Sequence, residues 1–230
     1  MSEQAVSPHL EGSAIARHRE DVIVEGRIVR HRLSSRIIHW TVALTFMVAL
    51  LTGMPIWTPI FAWMSYLFGG LHVCRWLHPW SGIAFAAASV VMFFHWAAAM
   101  AMDKTEREWF SPRKMMEYLG RREDENVGKY NGGQKVFFWG AVLGAVVLLL
   151  SGVVMWFPES FPQLLRELSY LLHDASFIAF AVAIVGHIYL GTAAGPGTFG
   201  AITHGTVSKS WAKLHHPRWY REVTGDRKRN

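Results

Sequence analysis

Four long apolar segments constrain this chain more than any other feature of its sequence. They cover about residues 37–57, 76–102, 135–157 and 168–192, and Asp174 is the one acidic or basic side chain well inside any of them. A helix of about 20 apolar residues crosses the roughly 30 Å hydrocarbon core of a bilayer. The sequence therefore predicts an all-α membrane protein whose four transmembrane helices form a bundle.

The basic residues predict how these helices are oriented. Of the 23 Lys and Arg residues, six precede the first helix, eight lie in the loop 103–135 and seven in the tail 193–230, whereas the other two connections hold only Arg75 and Arg166. Cytoplasmic loops carry the excess of basic residues, so both termini and the central loop are expected in the cytoplasm. Because topology explains the net charge of +6, no nucleic-acid binding is expected.

The expected organisation has three parts. Residues 1–30 are a flexible N-terminal extension, residues 31–195 hold the four-helix membrane domain, and residues 196–230 form a basic cytoplasmic tail. The apolar connection between the first two helices predicts a short helix at the outer membrane surface. Ser111 followed by proline predicts another short helix in the central loop.

Histidines within the apolar segments predict a functional site, because ionisable groups are rare at membrane depth. His173 and His187 are fourteen residues apart on the fourth helix. Fourteen steps of about 100° place them on one face, separated by a rise of about 21 Å. The topology puts His78 at the depth of His173, and His39 at the depth of His187.

Two b haems stacked across the bilayer suit this arrangement, since imidazole is the usual protein ligand of haem iron and bundle helices hold such cofactors between them. On the residues alone, His72 is an alternative to His78, and His95 is an alternative to His39. Hydrogen-bonded core histidines or a proton relay are alternative readings. Zinc needs three or four clustered ligands, which two separate levels do not offer. The single Cys74 excludes an internal disulfide and an all-cysteine iron–sulfur site.

Several motifs resemble one known family. They are "WLHPWSG" at 76–82, "VGKYNGGQK" at 127–135, "LLHDA" and "VGHIY" in the fourth helix, and "VSKSWAKLHHPRWYRE" at 207–222. In order and spacing they closely resemble the γ subunit of respiratory formate dehydrogenase, a cytochrome b of the b556 type, over about residues 30–223.

The resemblance implies two haem b groups with four axial ligands. The outer haem would bind His78 and His173, and the inner haem would bind His39 and His187. The family's quinone site, beside the inner haem, maps onto Asn131, Gly133 and Gln134 and the edge of His187. Amides suit this task because they donate hydrogen bonds to a quinone oxygen without changing charge. A simple turn before the third helix is the alternative for Asn131 and the glycines after it.

The resemblance also implies partners and a location. An iron–sulfur β subunit and a pterin-containing α catalytic subunit would lie outside, and this chain would pass electrons from formate to menaquinone or ubiquinone across a bacterial inner membrane, in contact with lipid. Assembly as a trimer of heterotrimers, as in the family, is left open. The tail motif at 207–222 is expected to dock a partner.

Three other functions are weighed against this one. A diheme cytochrome b of a nickel–iron hydrogenase or thiosulfate reductase fits the histidines but not the motifs at 127–135 and 207–222. A free-standing cytochrome b that oxidises superoxide needs no docking tail. A haem-free membrane anchor or transporter fits the helix count but not the paired depths of the histidines.

Overall fold

Four helices dominate the fold. The computed structural model describes residues 14–102 and 127–226. Within these ranges, four helices are long and apolar enough to span a membrane: α1 (Leu33–Trp57), α2 (Leu71–Trp96), α3 (Gly132–Trp156) and α4 (Gln163–Thr192). The predicted four-helix membrane fold is therefore confirmed. The short helix predicted from Ser111 lies outside the described residues.

Local residues determine where the short outer helix and α2 begin. A 3-10 helix at Pro59–Phe68 forms the expected short outer element, and the Thr58 side chain caps its first turn. Gly69 and Gly70 then adopt positive φ angles of 89° and 111°, which glycine allows at no steric cost. As a result, α2 begins at Leu71, five residues before the apolar segment does.

The described chain divides into two compact units. The bundle unit comprises Ile38–Ala97 and Phe137–Gly186, and the terminal unit comprises the chain up to Ile37, Ala98–Val136 and the chain from His187 onward. Each unit has a buried core of its own, formed by a different set of side chains.

Aromatic rings form the core of the bundle unit. Phe46, Phe85 and Phe180, from three different helices, pack with Ala145, and the Phe46 and Phe180 ring centroids are 4.9 Å apart. Large apolar side chains elsewhere on these helices are exposed, with Phe94 at 78%. Such side chains are stable where hydrocarbon surrounds the helices.

A small sheet, which the sequence analysis did not anticipate, organises the terminal unit. Strands β1 (Val22–Val24), β2 (Arg27–Val29) and β3 (Thr206–Ser208) are antiparallel in that order. Glu25 and Gly26 join the first two strands with φ angles of 49° and 77°, the positive values that a tight hairpin turn requires. The described part of the extension expected to be flexible is thus paired with the C-terminal tail.

Three short helices lie in the tail part of the terminal unit: α5 (Phe199–Thr203), α6 (Lys209–His215) and α7 (Pro217–Thr224). Their buried side chains pack against Ile28 of β2 and Val207 of β3, with Trp211 and Trp219 as the largest contributors. The two tryptophans of the tail motif are therefore core residues.

Candidate functional site

Two of the predicted ligands meet in the bundle unit. The ring centroids of His78 on α2 and His173 on α4 are 6.1 Å apart, and the rings are inclined at 76°. A metal–imidazole bond is about 2 Å long, so a metal between two imidazole nitrogens needs ring centroids roughly 6 Å apart. The spacing of the two rings matches that requirement.

Hydrogen bonds set which nitrogen of each ring can bind a metal. His78 donates from Nδ1 to the carbonyl oxygen of Ala49 at 2.9 Å. The Ser151 hydroxyl donates to Val147 at 2.6 Å, so its oxygen accepts the 2.9 Å bond from Nδ1 of His173. Both rings therefore carry their proton on Nδ1 and present the lone pair of Nε2, as metal-binding histidines usually do.

A glycine lies against each of these rings. A Cβ atom at Gly53 of α1 would come within 2.8 Å of Cε1 of His78, and one at Gly152 of α3 would come within 3.4 Å of Cε1 of His173. Sequence reasoning missed both glycines and Ser151. A signal was present, because "LLTG" at 50–53 and "LLSG" at 149–152 repeat one pattern on two helices.

The described residues offer a metal at this place two protein ligands. Within residues 14–102 and 127–226, no three His, Cys, Asp or Glu side chains cluster so as to hold a metal ion. A metal between His78 and His173 would take its other ligands from a non-protein group, as haem iron takes them from its porphyrin. The donor set and the small residues beside it fit a haem better than a zinc ion.

The predicted inner pair is divided between the units. His39 is on α1 in the bundle unit, where its ring meets Trp40 edge-on at 5.3 Å. His187 is on α4 in the terminal unit, fourteen residues after His173 on the same helix. This pair stays a prediction. For the outer pair, the ring spacing favours His78 over His72, which lies against Gly70.

The predicted quinone residues form the first turn of α3. The backbone N–H of Gln134 donates to Oδ1 of Asn131 at 2.8 Å, and the N–H of Asn131 donates to Oε1 of Gln134 at 3.0 Å. This reciprocal pair is a capping box, with Gly133 inside it. In this capping box the side-chain oxygen of each amide accepts a backbone hydrogen bond. The N–H groups of an amide are hydrogen-bond donors, which suit a ligand oxygen. The turn and the binding role are thus compatible.

Arg30 is a buried cation that sequence reasoning missed. Its guanidinium lies 5.6 Å from the ring centroid of Tyr130 and 5.1 Å from those of Trp211 and Trp219. Nη2 donates to the carbonyl oxygen of Lys129. Burial lowers the pKa of Arg30 to about 10, so it remains protonated at neutral pH and gains from the aromatic faces around it.

Acidic groups at the edge of this cluster hold Lys129. Its ammonium group is 2.7 Å from Glu20 and 2.9 Å from Asp21. Burial would raise the pKa of Glu20, but hydrogen bonds from Lys129 and Ser35 and the Lys129 charge lower it to about 2. Trp219 donates to Asp21 at 2.8 Å. The segment before β1, the loop before α3 and the tail are thereby joined.

The chain is similar to known proteins over most of its length. Residues 30–205 match the family described as prokaryotic cytochrome b561. The cytochrome b556(fdo) subunit of formate dehydrogenase from Escherichia coli K12 is 35% identical over 199 residues, 85% of this chain and 93% of that protein. The nitrate-inducible cytochrome b556(Fdn) subunit of formate dehydrogenase from the same strain is 37% identical over 201 residues, which are 85% of this chain and 91% of that protein. The formate dehydrogenase cytochrome b556 subunit of Haemophilus influenzae is 35% identical over 201 residues, which are 85% of this chain and 83% of that protein.

Proposed function

Because the chain belongs to the prokaryotic cytochrome b561 family, we propose that it is the membrane cytochrome b subunit of a respiratory formate dehydrogenase. The observation that carries the proposal is the His78–His173 pair, whose 6.1 Å spacing suits one shared haem iron. Relatives that align with 85% of the chain are named as formate dehydrogenase cytochrome subunits, which supports the choice of dehydrogenase.

The chain would hold two b haems. His78 and His173 would bind the outer one, and His39 and His187 would bind the inner one. His187 follows His173 by a rise of about 21 Å along α4. Haem iron accepts and returns one electron at a time. Ala49 and Ser151 orient the outer imidazoles through their Nδ1 protons, while Gly53 and Gly152 leave room beside the rings.

Quinone would be reduced beside the first turn of α3. Asn131 and Gln134 donate hydrogen bonds to a quinone oxygen, Gly133 lets the ring approach the backbone, and the edge of His187 lies at the same site. Two electrons and two protons convert the quinone to the quinol. An amide keeps its charge through this change, so the same donors can serve both forms.

The remaining partners and the orientation follow from the same proposal. An iron–sulfur β subunit would deliver the two electrons that a pterin-containing α subunit removes from formate, releasing carbon dioxide and one proton outside. With both termini cytoplasmic, quinone takes its protons from the cytoplasm of a bacterial cell, and the circuit builds a proton-motive force across the inner membrane. A trimer of such heterotrimers would bring three copies of this chain together.

A reduced-minus-oxidised optical spectrum tests the proposal. The complex is purified from membranes through a tag on this chain, formate is added, dithionite follows, and haem is counted per chain. Formate is expected to reduce two b haems per chain. Reduction by dithionite alone would assign the cytochrome to another dehydrogenase, and a chain without haem would refute the assignment of all four histidines.

A further inference from the structure

The loop before the proposed quinone site is held by hydrogen bonds from outside itself. Three successive carbonyl oxygens, of Val127, Gly128 and Lys129, each accept one. The donors are the backbone N–H of Arg218 at 3.0 Å, Nδ1 of His216 at 2.7 Å and the guanidinium of Arg30. Residues 127–129 are therefore fixed by the tail and by the end of β2.

This attachment lies two residues before the capping box of Asn131 and Gln134. Only Tyr130 separates the attached residues from Asn131, and Tyr130 is itself packed against Arg30. Binding groups must be held to within a fraction of an ångström to act on a ligand. The position of the attached loop therefore bears on the position of Asn131.

His216 is built for this contact. It is 2% exposed, and its ring packs between Trp211 at 5.2 Å and Trp219 at 6.2 Å. A neutral ring with its proton on Nδ1 is the form that donates to the Gly128 carbonyl. His216, Trp211 and Trp219 of the tail are therefore buried inside the terminal unit.

We propose that His216 is a positioning residue for the binding of quinone. Through its hydrogen bond to Gly128, His216 holds the amides of Asn131 and Gln134 in place. The inference rests on the proposed quinone site. Arg218 and Arg30 support the same loop, because they donate hydrogen bonds to the carbonyl oxygens of Val127 and Lys129, on either side of Gly128. The motif at 207–222 thereby acquires a role within this chain, in addition to the partner docking that the sequence predicts for it.

Steady-state kinetics of the purified complex, with formate as donor and menadione as acceptor, test the proposal. His216→Ala is expected to raise the KM for menadione about fivefold or more, with a smaller change in kcat, since one buried hydrogen bond is lost. His216→Asn keeps a donor near the position of Nδ1 and is expected to stay within about twofold of wild type. His215→Ala is the matched control, because His215 contacts Trp211 on its own helix. An unchanged KM in a fully haem-loaded His216→Ala complex would overturn the proposal.

A second variant decides the question if His216→Ala fails to assemble. His216→Leu keeps a side chain of similar volume against Trp211 and Trp219 but cannot donate a hydrogen bond to the Gly128 carbonyl. It is expected to raise the KM for menadione as His216→Ala does. If a haem-loaded His216→Leu complex keeps the wild-type KM, the proposal fails.

Reduction of the haems by menadiol separates this inference from the proposed function. Formate failing to reduce the haems of the wild-type complex would refute the formate dehydrogenase assignment. Menadiol would still reduce them through the quinone site, so the variants could be compared without formate. A half-saturating menadiol concentration that is the same in wild type and His216→Ala would contradict the positioning role.

Discussion

At the scale of single residues, the outer site depends on the absence of side chains as much as on the ligands. The ring of His78 occupies the space that a Cβ at Gly53 would need, with Cε1 at 2.8 Å and Nδ1 at 3.0 Å. The ring is also tied to Ala49 by its Nδ1 proton, so it cannot move away from α1 without losing that bond. The proposed ligand His78 thereby owes its position partly to a glycine on a neighbouring helix.

Gly53→Ala should consequently lower haem binding although it changes no ligand. The added methyl group pushes the His78 ring away from its place. Changes to groups that orient a metal ligand, without binding the metal themselves, typically lower metal affinity by about 10–100-fold. Haem per chain, measured by the pyridine haemochrome method, is expected to fall from two toward one. Gly140→Ala on α3 is the matched control, since Gly140 is exposed and a Cβ there meets nothing within 4 Å. Equal haem content in the two variants would show that the contact does not matter.

At the scale of elements, the long helices and three of their C-terminal ends were predictable, whereas their N-terminal ends were not. Apolar length identifies a membrane helix because the bilayer thickness demands it, so the four helices could be placed from the sequence. Their termini follow from individual capping groups, such as Gly70 before α2 and the Asn131–Gln134 box at α3. Such groups act through local geometry, which hydropathy does not report.

The terminal unit could not be predicted for a related reason. Its strands are three residues each, too short to produce a recognisable alternation of apolar residues. Its core pairs Ile28 with Trp211 and Trp219, which are nearly two hundred residues away in the sequence. Their charges predicted a flexible N-terminal extension and a basic tail that docks a partner, and the burial of Arg30 among aromatic rings appears only in the folded chain. The proximity of His78 and His173 could be predicted from the sequence, whereas the Ala49 carbonyl group and the glycines beside the two rings could not.

Acidification is expected to loosen the tail from the loop before α3. Burial, reinforced by the charge of Arg30, lowers the pKa of His216 to about 2, against about 6.5 in a released tail. Below pH 6.5 the released tail binds a proton and the packed tail does not, so packing weakens as the pH falls, by at most about 1.4 kcal/mol per pH unit. Glu20, with its pKa lowered to about 2, adds to this loss only below its ordinary value of about 4.5. The interval between pH 6.5 and 4.5 therefore reports on His216.

Hydrogen exchange of residues 207–224, corrected at each pH for the intrinsic exchange rate, measures this effect. Protection is expected to fall from pH 6.5 to 4.5 in the wild-type chain. In His216→Asn the side chain does not titrate, so the decrease should be much smaller. A decrease of the same size in both proteins would assign the effect to other groups, such as the neighbouring His31 and His215.

At the scale of the whole molecule, α4 connects the two proposed haem levels. It carries His173 and His187 on one face, and Phe180 lies midway between them in sequence and is buried with Phe46 and Phe85. The helix offers one ligand to each level and an aromatic layer at the middle. If the proposed function is right, the two histidines separate the step that receives electrons from the step that delivers them to quinone.

Substitution of each histidine should therefore block a different end of the path. In a His173→Ala complex, formate is expected to reduce little of the remaining haem, whereas menadiol still reduces it from the quinone side.

In a His187→Ala complex, formate should reduce one haem per chain at the wild-type rate. The turnover of formate with menadione should fall by about 100-fold or more, because a proposed haem ligand and an edge of the proposed quinone site are both lost. Stopped-flow spectra with each reductant measure both effects, and His204→Ala, an exposed histidine of the terminal unit, is the control. If the two variants respond alike to formate and to menadiol, the haems do not act in series along α4.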